Sequence, residues 1–278
     1  CIKNQMNCEI CAFKNPKPTS TAIIIHDNKL LLVKRNHEPF KDKWDLVGGY
    51  IQGDEEPFTG MIRECKEELG IEVTECTKIK TFVGTSSWKG FEYPIQSHLF
   101  LVDFEGEIIL DEENSDYKWM PLKELNPQEI AFDSNRTICE FVKEKFTYDL
   151  LRTKELVVQL DSSANVKEQS LYKAILNGHI AKIYDGELLV AMGWIFVRQT
   201  LLRKQAVIED MICDEAYRGR GYGRQILQDL LRWAKEQKVE IVELTTNPKR
   251  IAANKLYQSE GFILHETNHY LYTVDGNL

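Results

Sequence analysis

No uninterrupted apolar run in this chain reaches the roughly 18 to 20 residues needed to cross a bilayer, and the amino-terminal stretch CIKNQMNCEICAFKNPKP lacks the apolar centre of a secretory signal. Positive charge is in short supply. Against 43 Asp and Glu there are 35 Lys and Arg, giving a net charge of -8 and a pI near 5.4. That balance argues against a general nucleic-acid binder, whose surface is normally basic. Cysteine is sparse and odd in number, seven in 278 residues, with most of the seven isolated in apolar runs. A disulfide framework is therefore not the organising principle, and a reducing compartment is expected. There is no internal repeat and no long low-complexity tract. The expectation is a cytoplasmic protein with no membrane association and no nucleic-acid partner.

What is present suffices for more than one core. With 43% hydrophobic residues in 32.3 kDa, two domains of ordinary size are expected. Alternation and β-branched residues predict strands at 21–26, 30–34, 79–84 and 98–104, and again at 156–160, 179–184, 188–198, 205–213 and 239–245. Helical periodicity predicts helices over 57–69, 136–146, 223–235 and 251–259. The pattern changes near residues 147 to 155, which suggests a leader over 1–16, one domain over 17–150 and a second over 155–278. Cys8 and Cys11 form one C-x-x-C knuckle with Cys1 upstream, so Zn2+ at Cys8 and Cys11 competes with a reduced pair in the leader.

The helix over 57–69 carries the first chemical signal. Pro57 suits a first helical turn and Gly70 the position just past the end. Phe58, Met61, Ile62, Cys65 and Leu69 fall on one stripe, while Gly60, Glu64, Glu67 and Glu68 lie on the adjacent face. Like charges at such spacings destabilise a helix, and only Arg63 falls beside them. Carboxylates gathered without lysines suit a hard divalent cation such as Mg2+, which keeps waters and leaves room for phosphate oxygens.

The pattern G-x5-E-x7-R-E-U-x-E-E-x-G-U, where U is a bulky apolar residue, is met by Gly49, Glu55, Arg63, Glu64, Glu67, Glu68, Gly70 and Ile71, and it resembles the signature of Nudix hydrolases. The resemblance implies an α/β/α sandwich. It also implies hydrolysis of a nucleoside diphosphate linked to another group, assisted by Mg2+ or Mn2+, with Glu64, Glu67, Glu68 and the backbone carbonyl of Gly49 as metal ligands. Glu55 and Arg63 would support the loop and helix. The general base is either a glutamate of the helix or a residue of the acidic segment Asp111-Glu112-Glu113-Asn114-Ser115-Asp116. Two departures stand out: Val47 precedes the glycines where many members carry Pro, and Gln52 replaces a common acid. Gln52 leaves open an alternative in which the fold senses a nucleotide without turning it over and regulates the second domain. Trp44, Trp88, Phe91 and Tyr93 are candidates either for stacking on a base or for ordinary packing. No S-Q-P-W-P-F-type segment follows the box.

The second signal is QAVIEDMICDEAYRGRGYGR over 205–224: an apolar strand, an acidic turn, then glycines alternating with arginines before an amphipathic helix. Glycine lets the backbone approach, and a helix amino terminus offers unpaired N–H groups to phosphate. Arg218, Gly221 and Gly223, read as R-x-x-G-x-G, resemble the coenzyme A loop of GNAT acetyltransferases. Arg250, Ala253, Tyr257, Gly261 and Phe262 match that family's R-x-x-A-x-x-x-Y-x-x-x-G-F element downstream. The resemblance implies a mixed sheet with flanking helices and transfer of acetyl from acetyl-CoA to a primary amine, whose identity the sequence does not reveal. The coenzyme contacts implied are Ile212, Cys213, Arg218, Gly219, Arg220, Gly221, Tyr222, Gly223, Arg224, Asn254 and Tyr257, with Tyr257 serving the thiolate. Glu209 and Asp210 are candidate bases, and strand alternation predicts that they face opposite ways. Asn254 stands where some members carry His. The combined expectation is an α/β (α+β) protein with two chemistries.

Overall fold

Gly48 has φ +142°, and a Cβ there would lie 2.1 Å from the carbonyl oxygen of Ser20. Only glycine lets these two strands approach so closely. The computed structural model describes residues 15–88, 90–270 and 272; Cys1, Cys8 and Cys11 lie outside them, as do the side chains of Trp88 and Phe91. The chain divides into two compact units, with the division between Asn177 and Gly178.

The first unit contains strands β1 (Lys17–Ile23), β2 (Ile25–His26), β3 (Lys29–Arg35), β4 (Trp44–Asp45), β5 (Val47–Tyr50), β6 (Glu72–Trp88), β7 (Phe91–Glu105) and β8 (Asn114–Pro121), and helices α1 (Pro57–Leu69), α2 (Asp133–Phe146), α3 (Leu150–Leu160) and α4 (Glu168–Asn177). One sheet runs in the order β5-β1-β7-β6, with β1 parallel to β7. In a second sheet β3 pairs with β2, β4 and β8. The core joins Ala22, Val47, Phe100 and Val102 from the first sheet to Ile24 between β1 and β2, Leu31 and Val33 from β3, and Met61, Cys65 and Leu69 from α1. Helix α2 packs on β6, with the Phe82 and Phe141 rings 5.7 Å apart.

Two segments depart from the sequence reading. The strand expected at 156–160 is the end of α3, where Asp149 caps Arg152 N–H at 2.9 Å and Leu150, Thr153 and Leu156 are buried at helical spacing. The segment 161–178, for which the sequence suggested no element, contains α4. Its Tyr172 is fully buried, edge-on to Phe146 with centroids 5.5 Å apart. Its Glu168 accepts the N–H groups of Asp27 at 2.8 Å and Asn28 at 3.0 Å in the β2–β3 turn.

The second unit holds strands β9 (Gly178–Asp185), β10 (Leu188–Gln199), β11 (Lys204–Cys213) and β12 (Ile241–Leu244), and helices α5 (Tyr222–Glu236) and α6 (Ile251–Ser259). The sheet order is β12-β11-β10-β9, with β12 parallel to β11 and the other pairs antiparallel. Ile226, Leu227, Leu230 and Ala234 of α5 pack on Ala181, Ala191, Ile195, Ala206 and Ile208. A Cβ at Gly193 would fall 2.8 Å from Ile226, so its absence lets α5 sit close to β10. Among the described residues no helix is long and apolar enough to cross a membrane.

Candidate active sites

Helix α1 follows Glu56 with Pro57 in its first turn. It ends at Gly70, which at φ +68° donates its N–H to Lys66 O. Burial sorts its acids. Glu68 goes inward with Gly60, Met61, Cys65 and Leu69 and is 9% exposed, whereas the Glu67 side chain is 55% exposed and that of Glu64 lies between. Arg63 gathers the outer two, its Nη1 lying 2.8 Å from both Glu64 Oε1 and Glu67 Oε2. The same guanidinium grips Glu55 with two parallel bonds, Nε to Oε1 at 2.9 Å and Nη2 to Oε2 at 3.1 Å, and donates to Tyr50 O at 3.1 Å. The hydrogen bonds from this guanidinium, with that from Gln52 N–H, hold the Glu55 carboxyl below the usual range.

Glu68 is positioned by donors from two directions. Gly48 N–H reaches Oε1 at 3.0 Å and Asn114 Nδ2 reaches Oε2 at 3.2 Å. Burial dominates these bonds and, with the charges of Glu64 and Asp45, holds the carboxyl well above the ordinary range. Glu64 is raised too, again by burial first, with Arg63 opposing and Glu67 and Glu113 adding to the rise. A Cβ at Gly49 would lie 2.5 Å from Glu64 Oε1, so the glycine backbone borders the carboxylate. Oxygen donors that burial drives towards protonation, beside a bare backbone, fit a hard divalent cation.

The acidic segment reaches the same place. Asp111 accepts from Glu113 N–H and Asn114 Nδ2, Asn36 N–H donates to Glu113 O at 2.7 Å, and Glu113 Oε2 lies 3.2 Å from His37 Nε2. Of this segment, Glu113 is the acid whose charge raises Glu64. Trp44 is covered by Lys118, whose Nζ sits 4.0 Å from the ring centroid. Gln52 closes the loop before α1, its N–H donating to Glu55 Oε2 at 3.1 Å.

In the second unit β11 breaks its alternation. Met192 pairs with Ile212 and Trp194 with Glu209, so Asp210 and Met211 both stand opposite Gly193. Asp210 takes φ +51° in this bulge. The expectation that alternation sends Glu209 and Asp210 to opposite faces assumes an unbroken pleat, and the pleat is interrupted directly after Glu209. Burial and the Asp210 charge raise the Glu209 carboxyl.

At the end of β11, Ile212 is buried and Cys213 pairs with Ala191. Gly219 at φ +81° and Gly221 at φ +82° shape the turn into α5, and Gly221 caps the helix that Tyr222 and Gly223 begin. No side chain caps this helix start, and the first N–H groups of a helix lack intrahelical partners, an arrangement suited to phosphate. Each loop arginine has a local acid: Arg218 meets Glu215 at 3.3 Å, Arg220 meets Asp185 at 3.9 Å, and Arg224 meets Glu260 at 3.2 Å. Tyr257 of α6 is partly buried and directs its hydroxyl at Met211 Sδ, 3.8 Å away, with burial raising the phenol. Asn254 Nδ2 is engaged within its own helix start, donating to Asn247 O and Arg250 O.

Comparison with known families matches residues 16–141 to the NUDIX domain and residues 145–262 to the Acetyltransferase (GNAT) family. The chain joins a Nudix hydrolase domain to a GNAT acetyltransferase domain. The Nudix half is similar to an ADP-ribose pyrophosphatase of Methanocaldococcus jannaschii, 29% identical over 136 residues, covering 48% of this chain and 77% of that protein. The GNAT half is similar to an uncharacterized N-acetyltransferase, YobR, of Bacillus subtilis, 32% identical over 89 residues, 32% of this chain and 34% of that protein. A MutT NUDIX hydrolase structure from Burkholderia pseudomallei is 26% identical, covers 45% of this chain and 97% of that one, and has a TM-score of 0.40.

Around the Nudix acids the structure adds residues that the motif did not reveal. Asp45 is buried under Arg35 Nη1 at 3.1 Å, Asn135 Nδ2 at 2.6 Å and Leu46 N–H at 2.9 Å. Burial raises its carboxyl despite these donors. His37 likewise reaches Glu113 from a distant segment with nothing in local spacing to mark it, and Asn114, within the acidic segment already singled out, serves as a donor to Glu68.

Proposed function

We propose that the Nudix domain hydrolyses a nucleoside diphosphate linked to another group with Mg2+ or Mn2+, and that the GNAT domain transfers acetyl from acetyl-CoA to a primary amine. The observation that carries the first half is the pair Glu64 and Glu68, both largely withdrawn from water, with the Glu64 charge helping to raise the Glu68 carboxyl. Glu64, Glu67, Glu68 and the Gly49 carbonyl would hold the ion. When bound, it neutralises diphosphate charge and acidifies water. Arg63 and Glu55 keep the loop against the helix. Glu113, tethered by His37, accepts the proton of the attacking water as its oxygen bonds to phosphorus and the bridging oxygen leaves. The name of the M. jannaschii relative makes ADP-ribose the first substrate to try.

For acetyl transfer, the turn at Gly219 and Gly221 and the amino terminus of α5 would take the coenzyme pyrophosphate. Arg218, Arg220 and Arg224 would add charge once exchanged from their local acids. Glu209 or Asp210 removes the amine proton, the amine nitrogen bonds to the acetyl carbon, and Tyr257 returns a proton to the departing sulfur. A cytoplasmic site of action belongs to the same reading, supported by Cys65, Cys76, Cys139 and Cys213, all free thiols.

The test is product analysis by liquid chromatography and mass spectrometry, with and without Mg2+, on ADP-ribose, NADH, dinucleoside polyphosphates, nucleoside triphosphates and acetyl-CoA with an amine panel. Mg2+-dependent cleavage of one diphosphate is expected. A folded protein that cleaves none of them removes the hydrolase reading.

A further inference from the structure

The residue that follows the two glycines is not absorbed by the hydrolase signature. Tyr50 ends β5, its Cα opposite Thr19 on β1, and 49% of it is exposed. A tyrosine this exposed often has no partner for its ring, but here a cation lies over it. Tyr93 on β7 contributes a second ring facing the same cation. Lys17 Nζ sits over both rings, 4.9 Å from the Tyr93 centroid and 5.7 Å from that of Tyr50. The backbone of Tyr50 is tied to the acids, since its carbonyl accepts Arg63 Nη2 at 3.1 Å while Nη1 of the same guanidinium holds Glu64 and Glu67. An exposed ring, a cation and the carboxylates are thus linked through one short chain of contacts.

We propose that Tyr50, Tyr93 and Lys17 form the subsite for the nucleoside monophosphate end of the substrate, with the planar base stacked on the exposed Tyr50 ring and Lys17 paired with the phosphate nearest it. This rests on the diphosphate-hydrolase reading of the adjacent acids. Stacking on an aromatic ring is tolerant of base identity. The subsite therefore selects for the presence of a base more strongly than for which base it is.

The experiment is calorimetric titration of the full chain, in chelated metal-free buffer, with AMP and with ribose 5-phosphate as probes. AMP should bind the parent protein more tightly. Tyr50→Leu should weaken AMP about tenfold or more while leaving ribose 5-phosphate nearly unchanged, Tyr50→Phe should retain AMP binding, and Lys17→Met should weaken both probes. Equal binding of the two probes by the parent protein, no binding of either, or parent-like AMP binding by a folded Tyr50→Leu each overturns the subsite. Steady-state kinetics separate this from the reading beneath it. Hydrolysis with an unchanged KM in Tyr50→Leu sinks the subsite alone, whereas Tyr50-dependent AMP binding without any Mg2+-dependent hydrolysis sinks the hydrolase and leaves the subsite.

Discussion

Replacing Glu68 by Gln preserves the shape of the inward face of α1 and removes one charge from a position only 9% exposed. The Glu68 carboxyl is held well above its ordinary range, chiefly by burial. A raised acid binds its proton more tightly in the folded than in the unfolded chain. Its contribution to stability is thus complete below the unfolded pKa, near 4.3, and is lost as pH rises through the folded value. Each unit of displacement is worth about 1.4 kcal/mol. The substituted amide carries no such proton and still accepts Gly48 N–H, so metal-free Glu68→Gln should lose less stability than the parent as pH rises above the ordinary carboxylate range of about 4.3. Asp45 is raised as well, but it is common to both proteins and cancels in the comparison. Mg2+ should reverse the order. At a hundredfold excess over Kd a bound ion stabilises by about 2.7 kcal/mol, roughly 5–10 °C for a unit of this size, and the variant should gain much less. Scanning calorimetry across that pH range, in chelator and in Mg2+, makes the comparison. Parallel pH profiles and equal Mg2+ shifts for the two proteins would refute the argument.

Gly48→Ala should destabilise by more than about 3 kcal/mol, because its Cβ meets the Ser20 carbonyl at 2.1 Å and φ is +142°; denaturant titration giving parent-like stability contradicts that close approach. Tyr172→Phe should cost about 1.5–3 kcal/mol through loss of its 2.6 Å bond to Glu168, with the loss confined to the transition of the first unit. An unshifted midpoint removes the hydroxyl from the account of how α4 is anchored. Glu67→Gln combined with Glu68→Gln should abolish diphosphate hydrolysis and spare acetyl transfer; a double variant defective in both would show that the two chemistries depend on each other. Tyr257→Phe should slow acetyl transfer by about 10²–10⁴ with nearly constant coenzyme A affinity, and an unaltered turnover number would strip the phenol of its role as acid.

Much of this architecture was legible where a residue type has one local job. Pro57 and Gly70 bracketed α1 because a missing N–H and a left-handed conformation each allow few positions, and α6 appears over the residues that its periodicity marks. Where tertiary context decides, the sequence misled. Val157 and Val158 favour a strand, yet the Asp149 cap and the burial of Leu150 and Leu156 at helical spacing make α3. Strands β6 and β7 extend far beyond 79–84 and 98–104, since irregularities at Val73/Glu75 and Lys78/Lys80 interrupt the alternation without ending the pairing. The acids of α1 were visible as a set, but not that Glu68 turns inward while Glu67 stays in water. That difference depends on Gly48 and Asn114, 20 and 46 residues away.

Arg63 gives the acid ridge a tenant before any metal arrives. Its Nη1 already sits between Glu64 and Glu67, so ion uptake is an exchange of one cation for another rather than the filling of a repulsive void. The apparent affinity is then a difference between two occupancies. Only one nitrogen has to let go, because Nε and Nη2 keep their hold on Glu55 and on the Tyr50 backbone. The guanidinium does not titrate in any working range, so the displaced tenant releases no proton. Protons set free when the ion binds therefore come from the raised carboxyls, and counting them in buffers of different ionisation enthalpy reads out how far burial has protonated Glu68 and Glu64.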